Sequence, residues 1–256
     1  MTSKPAIPRL KSAAARASRQ ATSRAAKAAS ARPKGKAISP AKTPKGARAA
    51  SSYHHGDLHD ALLKAAEAIL EREGLPGLTL RAVAREAGVS HAAPAHHFRD
   101  LTGLVSELAA IGYRRFGAAM NAAAAPGRSR AEVGLARAHA YLDFARAHPA
   151  MYQLMFRAER LDMSNPVLHE AANASFAGLV QAVGEGRGET IANATLTLEQ
   201  AADAARAWSL MHGFSTLLLD GRLSDILERL PAGSTVDQLL DVMLRTGGTP
   251  LGSRVS

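Results

Sequence analysis

Histidine offers this sequence its most usable chemistry near neutral pH, and its spacing limits what that chemistry can be. There are ten histidines and no cysteine. The missing cysteine excludes disulfides, thiolate metal sites and cysteine nucleophiles. His55-x-x-x-His59 has the i,i+4 spacing of two metal ligands on one helix face. It stands at a helix start beside a polar tail, and we expect no metal there. His139, His148, His169 and His212 show no metal spacing. Gly184-Glu185-Gly186-Arg187-Gly188 has the glycines of a dinucleotide loop but follows a helix rather than a strand. We read it as a surface loop. No Gly-x-Ser-x-Gly, phosphate loop or zinc-protease motif occurs. The expectation is no catalytic residue, no metal and no cofactor.

The other histidines of interest, His91, His96 and His97, follow a segment with tight steric constraints. Thr79 has the side chain of a helix N-cap, and Leu80-Arg81-Ala82-Val83-Ala84-Arg85-Glu86-Ala87 reads as a helix. Ala84 is small enough for a second helix to cross closely. Gly88 can take the left-handed conformation of a tight turn. Val83 and Val89 can pack between the helices, and Ser90 can cap the second one. Together these features describe a helix-turn-helix. Its base-reading residues should project from the start of the second helix: Ser90, His91, Ala92 and Ala93, with His96 a turn later. Ala92 and Ala93 suit a thymine methyl, and His91 can donate to a guanine acceptor. Thr79, Arg81 and Arg99 complete the DNA-facing set as phosphate or groove contacts. His97 belongs to that set by position, but fits better orienting Phe98.

With these residues in view, the sequence resembles the tetracycline-repressor (TetR) family of transcriptional regulators. The match runs over about 53–116: one helix, Gly-Leu-Thr, Val-Ala-x-x-Ala-Gly-Val-Ser, then His97-Phe98. Further on, Tyr141-x-x-Phe144-Ala145-x-x-His148-Pro149-x-x-Tyr152-x-x-Met155-Phe156 and Trp208-x-x-x-His212-Gly213 are similar to a subgroup with a Trp–His–Gly signature in its C-terminal domain. The resemblance implies a three-helix DNA-binding head on an all-helical, dimerising body that takes a small-molecule effector. Two family features are absent. A tyrosine usual near the end of the recognition helix is Ala95 here, and a frequent lysine three residues after the phenylalanine is Leu101. Both are backbone-positioning contacts, which set affinity more than sequence choice. Pro94 also removes one backbone donor in the helix's first turn, where the loss is smallest.

Charge is unevenly placed. The 256 residues carry a net +10. Residues 1–52 hold 13 Lys/Arg and no Asp or Glu, leaving 19 basic and 22 acidic residues in 53–256. The head, 53–116, has 7 basic and 8 acidic residues. We therefore expect the tail to supply electrostatics that the head lacks, by sequence-blind counterion release. The tail has almost no large apolar residues, so we read it as disordered. Pro40-Ala41-Lys42-Thr43-Pro44-Lys45-Gly46 is similar in composition to linker-histone tails. A solvated tail, an organellar transit peptide and a start-site artefact remain open readings.

The elements that must position these residues are helical throughout, so the fold class is all-α. Leu58, Leu62, Ala65 and Ile69 mark the buried face of a first helix, which Gly74 ends. Ser129-x-x-Glu132, Thr197-x-x-Gln200 and Thr235-x-x-Gln238 are capping boxes, and Asn165-Pro166 is a helix start. Gly184 and Gly221 are read as stops. The implied helices span about 130–147, 149–157, 166–183, 198–220 and 235–246. The 198–220 helix is expected to bury Ala201, Ala205, Trp208, Met211, His212, Ser215 and Leu219 as one face. Val236, Leu239, Leu240, Met243 and Leu244 form the face of the last helix. The division expected is a disordered tail (1–52), a DNA-binding head (53–116) and a ligand-binding, dimerising body (117–256). An effector pocket in the body would be lined by Tyr141, Phe144, Tyr152, Met155, Phe156, Trp208, Met211 and His212. These same residues also suit plain core.

The leading reading is a cytoplasmic, nucleoid-associated homodimer, paired through its C-terminal helices. It would bind double-stranded DNA at a palindromic operator and be released by an unidentified small molecule. A nucleoid-type protein that coats DNA through its tail is the alternative. A small-molecule-binding or enzymatic helical domain with an idle head is the third. No run of apolar residues is long enough to span a membrane as a helix.

Overall fold

The computed structural model describes residues 55–192 and 195–246. The expectations for residues 1–52, and for the His55 side chain as a metal ligand, lie outside the described residues. The described residues form ten α-helices and two short 3₁₀ turns, with no strand among them. The head is built from α1 (His55–Glu73), α2 (Leu80–Glu86), α3 (Ala93–Phe98) and the start of α4 (Leu101–Ala122). The body adds α5 (Arg130–Ala147), α6 (Pro149–Met155), α7 (Pro166–Arg187), α8 (Leu198–Leu219), α9 (Ser224–Leu227) and α10 (Val236–Thr246).

Local chemistry places most helix ends. Ser129 and Thr197 each form a reciprocal box with Glu132 and Gln200. Thr235 and Gln238 exchange backbone-to-side-chain bonds of 2.9 and 3.1 Å. Asn165 accepts from the Val167 and Leu168 amides. Each such cap satisfies amides that the first helical turn leaves unpaired, worth about 1 kcal/mol.

Two of the helix stops share one pattern. After α2, Gly88 takes φ +69° and the Val89 amide reaches back to the Ala84 carbonyl at 2.9 Å. After α7, Gly188 does the same at φ +73°, with Glu189 bonded to Gly184 at 2.8 Å. These are Schellman endings, in which only the residue after the cap must be left-handed. Gly184 is therefore not the stop expected for it, and residues 184–187 are the last turn of a helix rather than a loop. Gly184 instead allows a close approach: a Cβ there would stand 2.7 Å from the Glu189 carbonyl oxygen.

One core runs through head and body. Leu62, Ala66, Ile69 and Leu70 of α1 meet Val83 of α2, Phe98 of α3 and Leu104 and Leu108 of α4, all fully or almost fully buried. Each large apolar side chain so buried is worth about 1.5–3 kcal/mol. Ala84 is also fully buried at the helix crossing. Leu142, Tyr152, Leu154, Met155 and Leu168 continue the core into the body. α1 and α4 lie parallel, tied by His59–Glu107 (2.9 Å) and, eight residues along each helix, by the Glu67–Arg115 pair. The head–body division expected at 116/117 falls inside α4, which runs unbroken from Leu101 to Ala122.

The expected single buried face of α8 is not what packs. Ala204, Met211, Phe214 and Ser215 are buried, whereas Ala205 is exposed and Trp208 is 45% exposed. An alanine-rich helix carries no sharp apolar stripe, so its rotation is set by its neighbours. Its outer side shows Leu198, Ala202, Ala205, Ser209 and Leu217. On α10, Leu240 is fully buried and its expected neighbours pack beside it. Among the described residues, no helix is long and apolar enough to cross a membrane.

Candidate nucleic-acid interface and ligand cavity

The head presents a short second helix on a rigid turn. Thr79 caps α2 through its hydroxyl, which accepts from the Ala82 amide at 3.1 Å, and Arg81 is exposed on the first turn. α3 begins later than the residue pattern implied. Ser90, His91 and Ala92 form a turn ahead of it, closed by the Ala93 amide on the Ser90 carbonyl at 3.0 Å. The Ser90 hydroxyl does not cap α3. Ala92 occupies the cap position and has no side-chain acceptor to offer. Pro94, buried and lacking an amide hydrogen, reduces the number of donors that the first turn must satisfy.

Ser90, His91, Ala92 and His96 are exposed, and Ala93 is half-buried. His97 is half-buried, with its ring centroid 6.2 Å from Phe98 and 5.9 Å from His59. The exposed side chains offer imidazole groups and small apolar methyls.

The joint between α3 and α4 is strained. Arg99 has φ +65° and ψ −57°, and the Asp100 amide closes on the Phe98 carbonyl at 2.8 Å. This is a classic-sense γ-turn, a rare conformation for a side chain-bearing residue. Asp100 then caps α4 by accepting from Gly103 at 2.8 Å. Arg99 is exposed here, and its charge adds a small part to holding down the Asp162 carboxyl, which Ser164 dominates.

The body holds a cavity of about 840 Å³ between α4, α5, α7 and α8. That lies in the range of about 300–1,000 Å³ usual for small-molecule sites. Of the residues expected to line a pocket, Tyr141, Phe156, Trp208 and Met211 do so. Phe144, Tyr152, Met155 and His212 do not reach its wall and pack behind it instead. The reason is helical geometry: residues three or four apart share a face, and on α6 that face turns into the core. The Tyr152 hydroxyl is hydrogen-bonded to His212 Nδ1 at 2.8 Å, and the Tyr141 hydroxyl lies 3.3 Å from both. Burial pushes both tyrosines' pKa values up and that of His212 down, so all three stay neutral near pH 7.

The residue pattern missed the contribution of α4 and α7. Tyr113, Phe116 and Met120 of α4 and Phe176 and Leu179 of α7 line the cavity. Their spacing of three or four was visible in the sequence, but α4 had been divided between head and body. Arginines at the cavity were missed too. Arg137 pairs with Glu185 at 2.6 Å and holds that carboxyl below its usual range. Arg187 and Arg206 share Asp203 at 2.7 and 2.8 Å.

Comparison with known proteins gives two family matches. Residues 62–108 match the model of bacterial regulatory proteins of the tetR family. Residues 135–246 match the model of a tetracyclin repressor-like C-terminal domain. A protein of unknown function from Rhodococcus sp. RHA1 is 36% identical, covering 76% of this chain and 95% of that one, with a TM-score of 0.61. SCO4313, a candidate regulatory protein, is 23% identical over 74% of this chain and 94% of its own, with a TM-score of 0.57. A TetR-like transcriptional regulator, also from Rhodococcus sp. RHA1, is 17% identical over 77% and 98%, with a TM-score of 0.51. No curated protein matches the chain.

Proposed function

We propose, from the premise that this chain belongs to the TetR family of bacterial regulatory proteins, that it is a ligand-released repressor. The family is one of DNA-binding transcription regulators, not enzymes. In our reading a homodimer binds a palindromic operator through His91, Ala92, Ala93 and His96, with Thr79, Ser90, Arg81 and Arg99 toward the backbone. Pairing through the C-terminal helices would set two α3 helices about 34 Å apart, one DNA turn. Such a protein would act in the cytoplasm, on the nucleoid.

The observation that carries this reading is the continuity of α4. Its first turn abuts the end of α3, and its later turns wall the cavity with Tyr113, Phe116 and Met120. From Gly103 to Phe116 is about 20 Å at 1.5 Å per residue. A molecule in the cavity pushes on the same rigid rod that holds the recognition helix. If it prefers one setting of α4, it shifts the population toward that setting and away from operator spacing. Tyr141, Phe156, Trp208 and Met211 would touch the effector. Phe144, Tyr152, Met155 and His212 would hold that wall in place.

The test is footprinting of the full chain on DNA upstream of its own gene, with excess unrelated competitor. A short symmetric protected site is the expected result. Protection that spreads along any DNA would favour the nucleoid-type alternative, because specific base contacts survive competitor and counterion release does not.

A further inference from the structure

The cavity has a chemical polarity that narrows its occupant. Its inner wall is aromatic and aliphatic, with Phe116, Met120, Phe156 and Trp208 as the larger surfaces. Its charged lining is unbalanced: five arginines stand against two carboxylates, Glu185 and Asp203. Those carboxylates are already committed to Arg137, Arg187 and Arg206. Arg128 and Arg130, the other two, form no ion pair among the described residues. The Arg130 guanidinium lies over Gly188, at the carbonyl end of α7. Arg128 lies just before the Ser129 cap, and its charge adds a small part to holding down the Glu132 carboxyl, which the bonds to Ser129 dominate.

We propose that the effector is an amphipathic organic acid, its anionic head at Arg128 and Arg130 and its apolar body against Phe116, Met120, Phe156 and Trp208. This inference rests on the reading of the cavity as the effector site. An apolar cavity that already holds excess positive charge opposes a cation and offers a neutral head only a single, weaker hydrogen bond. An anion gains a full ion pair with paired hydrogen bonds that neither alternative can form. The planar guanidinium fork suits a carboxylate, which can take two parallel bonds from one arginine.

Trp208 makes this testable, since it is the chain's single tryptophan and it lines the cavity. Its fluorescence in the full-length protein would be titrated with decanoate, decan-1-ol and decylammonium, three chains of one length and three head charges. The expected result is a saturable change with decanoate at a Kd about tenfold or more below the other two. In the Arg128→Gln/Arg130→Gln variant, decanoate should weaken about tenfold or more while decan-1-ol moves less than twofold. Both side chains are exposed, so the fold should survive, and the single Arg128→Gln variant in the loop gives a milder check. Equal affinities, a preference for decylammonium, an unchanged preference in the variant, or no Trp208 response to any probe overturns the inference. The footprint without added probe is read separately. Its loss would sink the regulator reading and leave the charge preference standing. An intact footprint with no charge preference would sink only the present inference.

Discussion

The Phe98 carbonyl oxygen fills the space that a Cβ on Gly103 would occupy. The last residue of the recognition helix is thus locked against the first turn of α4, across the strained turn at Arg99. Gly103→Ala must push the two helices apart. We expect it to cost about 1–3 kcal/mol and to weaken operator binding at least tenfold, with decanoate binding within twofold of wild type. Thermal melts, footprinting and Trp208 titration measure the three. Unchanged operator affinity would mean that the joint does not set the position of α3.

Gly88 offers a contrast. Nothing lies within 4 Å of a Cβ built on it, but its φ is +69°. Gly88→Ala should therefore cost only the left-handed penalty, about 1–2 kcal/mol. The melting temperature would fall by roughly 2–4 °C per kcal/mol. A larger loss would point to a contact not accounted for by backbone conformation.

The His212 group gives a pH dependence with a definite sign. Burial lowers its pKa in the folded protein, whereas the unfolded chain keeps about 6.5. Below about pH 6.5 the unfolded state binds the proton more readily. Stability present above that pH is then lost as pH falls toward the folded value. Denaturant titrations from pH 7.5 to 5 should show this fall, and His212→Gln should flatten part of it. Tyr152→Phe removes the hydroxyl bonded to Nδ1 and should cost about 1–3 kcal/mol at pH 7.5. A His212→Gln profile identical to wild type would remove this group as the cause.

The outer side of α8 tests the dimer. Ala202, Ala205 and Ser209 are small and exposed, flanked by Leu198 and Leu217. Such a surface lets another helix approach closely. Ala205→Glu should convert a dimer to a monomer by light scattering and abolish the footprint, leaving the helical circular dichroism unchanged. A variant that stays dimeric would place the interface elsewhere.

Removing residues 1–52 deletes 13 basic residues. Operator affinity should fall at low salt, and the slope of log affinity against log salt should flatten by about 0.9 per lost phosphate contact. The protected sequence should stay the same. A head that binds equally well without the tail would refute the tail's electrostatic role.

Secondary structure was legible in the residues because it rests on neighbours in the chain. Ser129 and Glu132, Thr197 and Gln200, and Asn165 with Pro166 determine helix starts whatever lies around them, and the structure forms each cap. The turn at Gly88 was legible for the same reason. Gly184 shows the limit. Three glycines, Gly184, Gly186 and Gly188, stand at the end of α7, and only Gly188 takes the left-handed conformation, while Gly184 stays helical and lets Glu189 and Ile191 fold back against it.

The cavity was only half legible. Tyr141, Phe156, Trp208 and Met211 carried the right chemistry, but so did Phe144, Tyr152 and Met155, and which group faces empty space depends on how each helix is rotated against the others. The sequence by itself determined the helical character of the described residues, their caps, the helix-turn-helix turn and the imbalance of charge, since each can be read along the chain. Tertiary structure alone decided that Phe116 of α4, Arg128 and Arg130, Phe176 of α7 and Trp208 of α8 line one cavity. Those relationships join residues far apart in sequence, and only the packing of whole helices brings them together.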